Sequence, residues 1–212
     1  CKTQLMKRWP WIPSKKINSI PNPLSFEKPK LVTKKKQVLY LGRLEYVAKR
    51  LDRLIWVWKA VEPNFPDWKL MIVGGSRSNS PGDYQHREAL RLKELVNKLG
   101  LKNVFFEGHK DSNSYYEESQ VFCLTSSQEG FGSVLIEAMQ HGMVPVAFDS
   151  FPAAKEIIDS KQNGVLVVPF QIDSYAQELQ NLLKDDTLRT EMAKEAKKKS
   201  RDFGIDKVGE QW

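Results

Sequence analysis

The chain has 212 residues with 41% hydrophobic content, enough to bury a core in one large domain or two small ones. No apolar run approaches the roughly 18–20 residues a membrane span needs, and no charged-then-apolar leader is visible. The net charge of +7, from 33 basic and 26 acidic residues, suits nucleic acid, anionic membrane or phosphorylated ligands, so composition alone does not choose among them.

Residues 1–36 carry Pro10, Pro13, Pro21, Pro23 and Pro29 among scattered bases, and read as a connecting segment with a short strand at Lys16 to Ile20. The chain opens on Cys1 instead of Met, from which a longer parent protein is expected. Trp9 and Trp11, beside Lys7 and Arg8, suit an interface with a missing half or with a membrane. Charge is concentrated from Lys28 to Lys36 and from Lys194 to Arg201, where it reads as solvated surface or as a membrane-facing patch.

From residue 37 short apolar runs alternate with amphipathic stretches. Gln37 to Gly42 reads as a buried strand, Leu51 to Val61 as a helix stopped by Pro63, and Trp68 to Val73 as a second strand ending in Gly74-Gly75. Ser76 to Asp83 is a polar loop expected to be mobile. Arg87 to Leu99 is a helix with Leu90, Leu92, Leu95, Val96 and Leu99 on one face, closed by Gly100. Strands follow at Asn103 to Phe106, Val121 to Thr125, Val144 to Phe148 and Gly164 to Val168. Between and after them come helices at Asn113 to Ser119, Ser133 to His141, near Ala153 to Ile158, Ser174 to Leu183 and Thr187 to Ser200. Residues 201–212 are left as a tail. Continuous apolar strands alternating with helices predict an α/β domain with a doubly wound, Rossmann-like parallel sheet over residues 37–200. In such sheets ligands sit beyond the carboxyl ends of the strands.

Two loops at that edge carry chemistry. After the first strand, Gly42 permits a sharp turn, and Arg43 and Lys49 follow as candidates for two phosphates or, more plainly, as solvated bases at a helix start. After the fourth strand comes Thr125-Ser126-Ser127-Gln128-Glu129-Gly130-Phe131-Gly132-Ser133, with two glycines ahead of a helix whose free N–H groups and dipole favour an anion. Glu129 there needs a partner other than phosphate, and a sugar hydroxyl is one. Glu137, within two turns of the helix start, can accept from the hydroxyls of a ribose. Taken singly, each glutamate reads better as a helix-terminal or helix-surface acid; together, with the glycines between, they read as a site.

Glu129-Gly130-Phe131-Gly132…Glu137-Ala138-Met139…Gly142…Pro145-Val146 resembles the signature of the family 4 retaining glycosyltransferases of the GT-B fold. Gly42-Arg43-Leu44 with Lys49, Pro21-Asn22-Pro23 and Val104-Phe105-Phe106-Glu107-Gly108 resemble three further blocks of that family. The resemblance, over roughly residues 17–200, implies the C-terminal, nucleotide-sugar-binding half of a two-domain enzyme. Arg43 and Lys49 would neutralise the diphosphate, and Glu129 would hold the donor sugar. Gly130, Phe131, Gly132, Ser133 and Val134 would present backbone to sugar and phosphate. Glu137 would bind the ribose, and Gly108 and His109 would border the base. The implied partners are a nucleotide sugar and, through the missing half, a glycan or lipid-linked acceptor. Peripheral membrane contact fits the basic patches, and no nucleic acid is expected. No cofactor or metal is implied: Asp-x-Asp is absent, and His86, His109 and His141 lack ligand spacing. The expected compartment is the cytoplasm or the cytoplasmic face of a membrane, and the fragment alone is expected to transfer nothing.

The sequence departs from the family where Arg50 follows Lys49 in place of glycine, and where Ser76 follows Gly75 in place of an acid. Two other readings compete. A dehydrogenase would carry a Gly-x-Gly-x-x-Gly fingerprint after the first strand, which Gly42 to Lys49 does not offer. A sugar-nucleotide epimerase shares the GT-B plan but, as the resemblance implies, lacks the Glu129-Gly130-Phe131-Gly132…Glu137 combination. A nucleic-acid module would rest on charge alone. His141 reads as a helix cap, Trp56, Trp58 and Trp68 as packing, and Cys123 as a small core residue.

Overall fold

The computed structural model describes residue 11, residues 32–75 and residues 83–210. The expected strand at Lys16 to Ile20, the Pro21-Asn22-Pro23 block and most of the Ser76 to Asp83 loop lie outside these residues.

Six strands form one parallel sheet: β1 (Gln37–Leu41), β2 (Lys69–Val73), β3 (Val104–Gly108), β4 (Val121–Leu124), β5 (Val144–Phe148) and β6 (Val165–Val167). Their order is β3-β2-β1-β4-β5-β6. The chain builds outward from β1 in one direction through β3, returns to place β4 beside β1, and builds the other way. Two helical layers follow from that reversal, because parallel crossovers are right-handed. Helices α1 (Leu51–Val61), α2 (Tyr84–Lys98) and α6 (Ile172–Lys184) pack together, and α4 (Ser133–Gln140) packs on α7 (Asp186–Ser200). Covered on both faces, the central strands are apolar at every position but Gln37, and Val38, Leu39, Val121, Phe122, Val144 and Val146 are fully buried.

Two short helices, α3 (Asn113–Glu118) and α5 (Ala154–Ile157), complete the crossovers. Helix α2 begins three residues earlier than its periodicity indicates, because the Asp83 side chain caps it by accepting from the N–H groups of Gln85 and His86 at 2.8 and 3.3 Å. Leu90, placed on its apolar face by spacing, is 48% exposed, while Leu92 and Val96 are buried. Trp58 and Trp68 are packed as expected, but Trp56 is half-exposed on the outer side of α1.

Beyond residue 200, where a tail was expected, the chain folds back through a 3₁₀ turn (Arg201–Phe203) and a helix, α8 (Ile205–Gly209). Phe203 and Val208 are buried. The Phe203 ring meets Phe131 edge-on at 5.9 Å, so the chain's end supports the loop after β4.

Candidate functional site

The strand order places the topological switch between β1 and β4, the position at which doubly wound sheets open a crevice at their carboxyl edge. The two loops singled out by sequence flank it and are laced together. Ser127 donates its N–H to the Ala48 carbonyl at 2.8 Å and its hydroxyl to that of Val47 at 2.7 Å. Thr125 Oγ1 donates to the Arg50 carbonyl at 3.1 Å.

This lacing brings Lys49 onto Glu129. Lys49 Nζ lies 2.7 Å from both Oε1 and Oε2, and Ser126 Oγ donates to Oε1 at 2.6 Å. The pair is largely buried, with side chains 16% and 8% exposed. What Glu129 faces in the structure is therefore a lysine and a serine. Its carboxylate accepts three hydrogen bonds, which leaves it capacity for one more donor.

Arg43 is not drawn into this cluster. Its side chain is 67% exposed and pairs with Glu45 at 2.9 Å, while its carbonyl accepts from the buried Tyr40 hydroxyl at 2.9 Å. Burial, with the nearby carboxylates of Glu129 and Glu45, pushes the Tyr40 phenol far above its ordinary range, so it remains a donor.

Gly132 is the N-cap of α4, at φ 89°. A Cβ there would strain the backbone and come within 3.1 Å of the Phe151 ring. The turn aims the start of α4, with the Ser133 and Val134 N–H groups in its unpartnered first turn, at the same edge. Gly130 has open space where a Cβ would sit. At the ends of β1 and β2 the backbones nearly touch: a Cβ on Gly74 would lie 1.9 Å from the Gly42 carbonyl oxygen. Farther along the edge a hollow of about 220 Å³ is lined by Leu44, Gly75, Gln85, Phe106 and Gly108, with the exposed His109 following.

Glu137 lies one turn into α4 and is half-buried. Its Oε2 accepts from the Tyr116 hydroxyl at 2.7 Å, and among the described residues its Oε1 meets no donor. His141 caps the helix as expected, its Nδ1 standing 2.9 Å from the Glu137 carbonyl oxygen. Sequence reasoning missed Tyr116 and Ser126. Ser126 lies in the motif but makes its contact through a turn. Tyr116 is 21 residues before Glu137, and the contact joins α3 to α4 across β4, which no local spacing announces.

A larger cavity, about 350 Å³, opens on the opposite edge. Its two inner cations are already engaged. Lys34 donates to three carbonyls around the end of α3, and Arg189 to Gln120 and to the Leu182 carbonyl. The buried Cys123 thiol, pushed up to about 12 by burial, is inert packing. Among the described residues no three His, Cys, Asp or Glu side chains are placed to share a metal ion, and no helix is long and apolar enough to cross a membrane.

The profile of the family described as Glycosyl transferases group 1 matches residues 22–199. The chain belongs to this family. Among curated proteins this glycosyltransferase chain is 33% identical over 179 residues to an uncharacterised glycosyltransferase of Haemophilus influenzae, covering 84% of the chain and 48% of the relative. It is 32% identical over 181 residues to the amylovoran biosynthesis glycosyltransferase AmsD of Erwinia amylovora, with 84% and 47% covered. It is 30% identical over 191 residues to an alpha-1,4-N-acetyl-D-galactosaminyltransferase of Campylobacter jejuni acting on an undecaprenol-linked glycan, with 89% and 48% covered. The chain thus spans about half the length of these relatives. In fold it is similar to S. aureus TarM, solved with UDP among its ligands, at a TM-score of 0.84 and 23% identity, covering 100% of this chain and 41% of TarM. The lipopolysaccharide galactosyltransferase WaaB gives 0.79 at 21% identity, with 99% and 57% covered. The doubly wound fold is common to all three.

Proposed function

We propose that this chain is the donor half of a retaining, family 4 glycosyltransferase, binding a nucleoside-diphosphate sugar at the carboxyl edge between β1 and β4. The observation that carries the reading is the convergence there of Lys49 with Glu129 and the glycine-capped start of α4, which lie some eighty residues further along the chain and meet Lys49 only through the fold. The curated relatives are glycosyltransferases, and TarM was solved with UDP.

In this reading the diphosphate meets the first N–H groups of α4, which favour an anion, with Arg43 turning from Glu45 to its outer side. Lys49 shares its three donors between Glu129 and phosphate. Its pairing with Glu129 fixes the ammonium in advance, so little reorganisation is needed as charge develops on the leaving nucleotide. The sugar takes the remaining acceptor capacity of Glu129. The ribose meets the open Oε1 of Glu137, and the base lies toward Gly108 and His109. Two cations in place of a metal ion balance the diphosphate. The acceptor, a glycan or lipid-linked glycan, enters from the half of the protein not represented in this sequence. The chain alone therefore binds donor without transferring it, at the cytoplasm or the cytoplasmic face of a membrane.

Calorimetric titration with UDP, GDP and ADP tests this reading. One of the three is expected to bind, and both Arg43→Gln and Lys49→Met to weaken it. Absence of binding by all three, or equal binding by both variants, contradicts the assignment. Turnover of any nucleotide sugar by the 212-residue chain contradicts the half-site reading.

A further inference from the structure

Glu137 is held from two sides. The Tyr116 hydroxyl reaches its carboxylate at 2.7 Å, and His141 approaches its main-chain carbonyl at 2.9 Å. The two holding residues are themselves stacked, Tyr116 on His141 with centroids 5.2 Å apart and planes 15° from parallel, and Tyr116 also lies on Phe122 at 6.3 Å. Tyr116 is 3% exposed, so it has no freedom to follow a moving partner.

A glutamate on a helix surface otherwise samples several rotamers, and ordering it on binding opposes affinity. With Oε2 tied, the carboxylate plane is set and Oε1 is left with both lone pairs unused, as two vicinal hydroxyls require. We propose that Tyr116 is a positioning residue that fixes the Glu137 carboxylate for the vicinal hydroxyls of a nucleotide ribose, and so sets this chain's preference for ribonucleotides over 2′-deoxyribonucleotides. The proposal rests on the nucleotide-site reading above. Burial and the adjacent carboxylate hold the phenol far above its ordinary range, so Tyr116 stays a donor throughout the working pH range.

A purely structural role for the same hydrogen bond would lower stability without changing which sugar is read. Calorimetry separates the two. The native chain, Tyr116→Phe and Glu137→Gln are titrated with UDP, GDP and ADP and with the 2′-deoxy form of whichever binds. The native chain is expected to prefer the ribonucleotide by about tenfold, the scale of one hydrogen bond to a charged group. Tyr116→Phe is expected to reduce that preference to about threefold or less, with deoxynucleotide affinity within about twofold of native. Glu137→Gln is expected to reduce it as far.

Tyr116→Phe that keeps the full preference, or weakens both nucleotides equally, overturns the proposal while Glu137→Gln still reports the ribose contact. If Glu137→Gln also keeps the full preference, or the native chain shows none, Glu137 is no ribose anchor, and both the proposal and that part of the functional reading fall. Should Tyr116→Phe not fold, His141→Leu unstacks the Tyr116 ring with the hydroxyl retained. It is read the same way: selective loss of preference supports the proposal, and equal weakening overturns it.

Discussion

Lys49 and Glu129, eighty residues apart, meet at 2.7 Å through both carboxylate oxygens, and their contact joins the loop after β1 to the loop after β4. Both side chains are mostly withdrawn from water, so each depends on the other for compensation. Removing one leaves the other charged, poorly solvated and unpaired, which is more disruptive than removing both.

A double-mutant cycle over Lys49→Met and Glu129→Gln is therefore expected to show a coupling of about 1–3 kcal/mol, with the double variant more stable than the single effects sum to. Denaturant unfolding measures it. Additive effects would mean that the pair does not hold the two loops together.

Gly132→Ala asks whether the start of α4 is set by its glycine. At φ 89°, with the Phe151 ring 3.1 Å from the added carbon, the substitution is expected to destabilise by about 1–2 kcal/mol. Thermal or chemical unfolding reads it, and a neutral result would show that the loop accommodates a Cβ.

Arg50 occupies the left-handed region at φ 47°, ψ 49°, the position where the sequence departs from the family's glycine. Its bonds to Asp52 at 2.9 and 3.0 Å partly offset that strain. Arg50→Gly and Arg50→Ala both lose the pair, so their difference isolates the backbone. The glycine variant is expected to be the more stable by about 1 kcal/mol in denaturant unfolding.

Lys34 gives a pH signature. Burial, then the neighbouring Lys197 charge, lowers its ammonium from 10.5 to about 8, against the opposite pull of Glu117. Between those two values the unfolded chain holds more protons than the folded one, so this group makes stability rise as pH rises from about 8 to 10.5. Below pH 8 Lys34 is charged in both states and its full burial penalty applies. Lys197→Gln removes one cause and is expected to flatten the rise. An unchanged slope in pH-dependent unfolding would contradict it.

Much of this was legible in the sequence because it is local. Apolar runs bounded by Gly42, Gly74-Gly75 and Gly100 mark strand and helix ends, and alternation of the two element types marks a parallel sheet. The glycines around Phe131 mark an anion-favouring helix start. Contacts between distant elements were not legible. Spacing set Glu129 and Lys49 on the right edge, but that they would bind one another depends on β1 and β4 being neighbours. The Tyr116 hydrogen bond depends likewise on α3 and α4 flanking β4. The chain's end looked like a tail because its charged sequence hides the two residues, Phe203 and Val208, that anchor it.

The most direct test of the donor-site account is amide chemical-shift mapping of the labelled chain during titration with UDP, GDP and ADP in turn. The account predicts that the binding nucleotide shifts Gly42, Gly108 and the run Gly130 to Val134. It also predicts that Gly142, Lys194 and Lys197, which line the cavity on the opposite edge, stay unmoved. Shifts centred on that opposite cavity, or none with any of the three nucleotides, would contradict it.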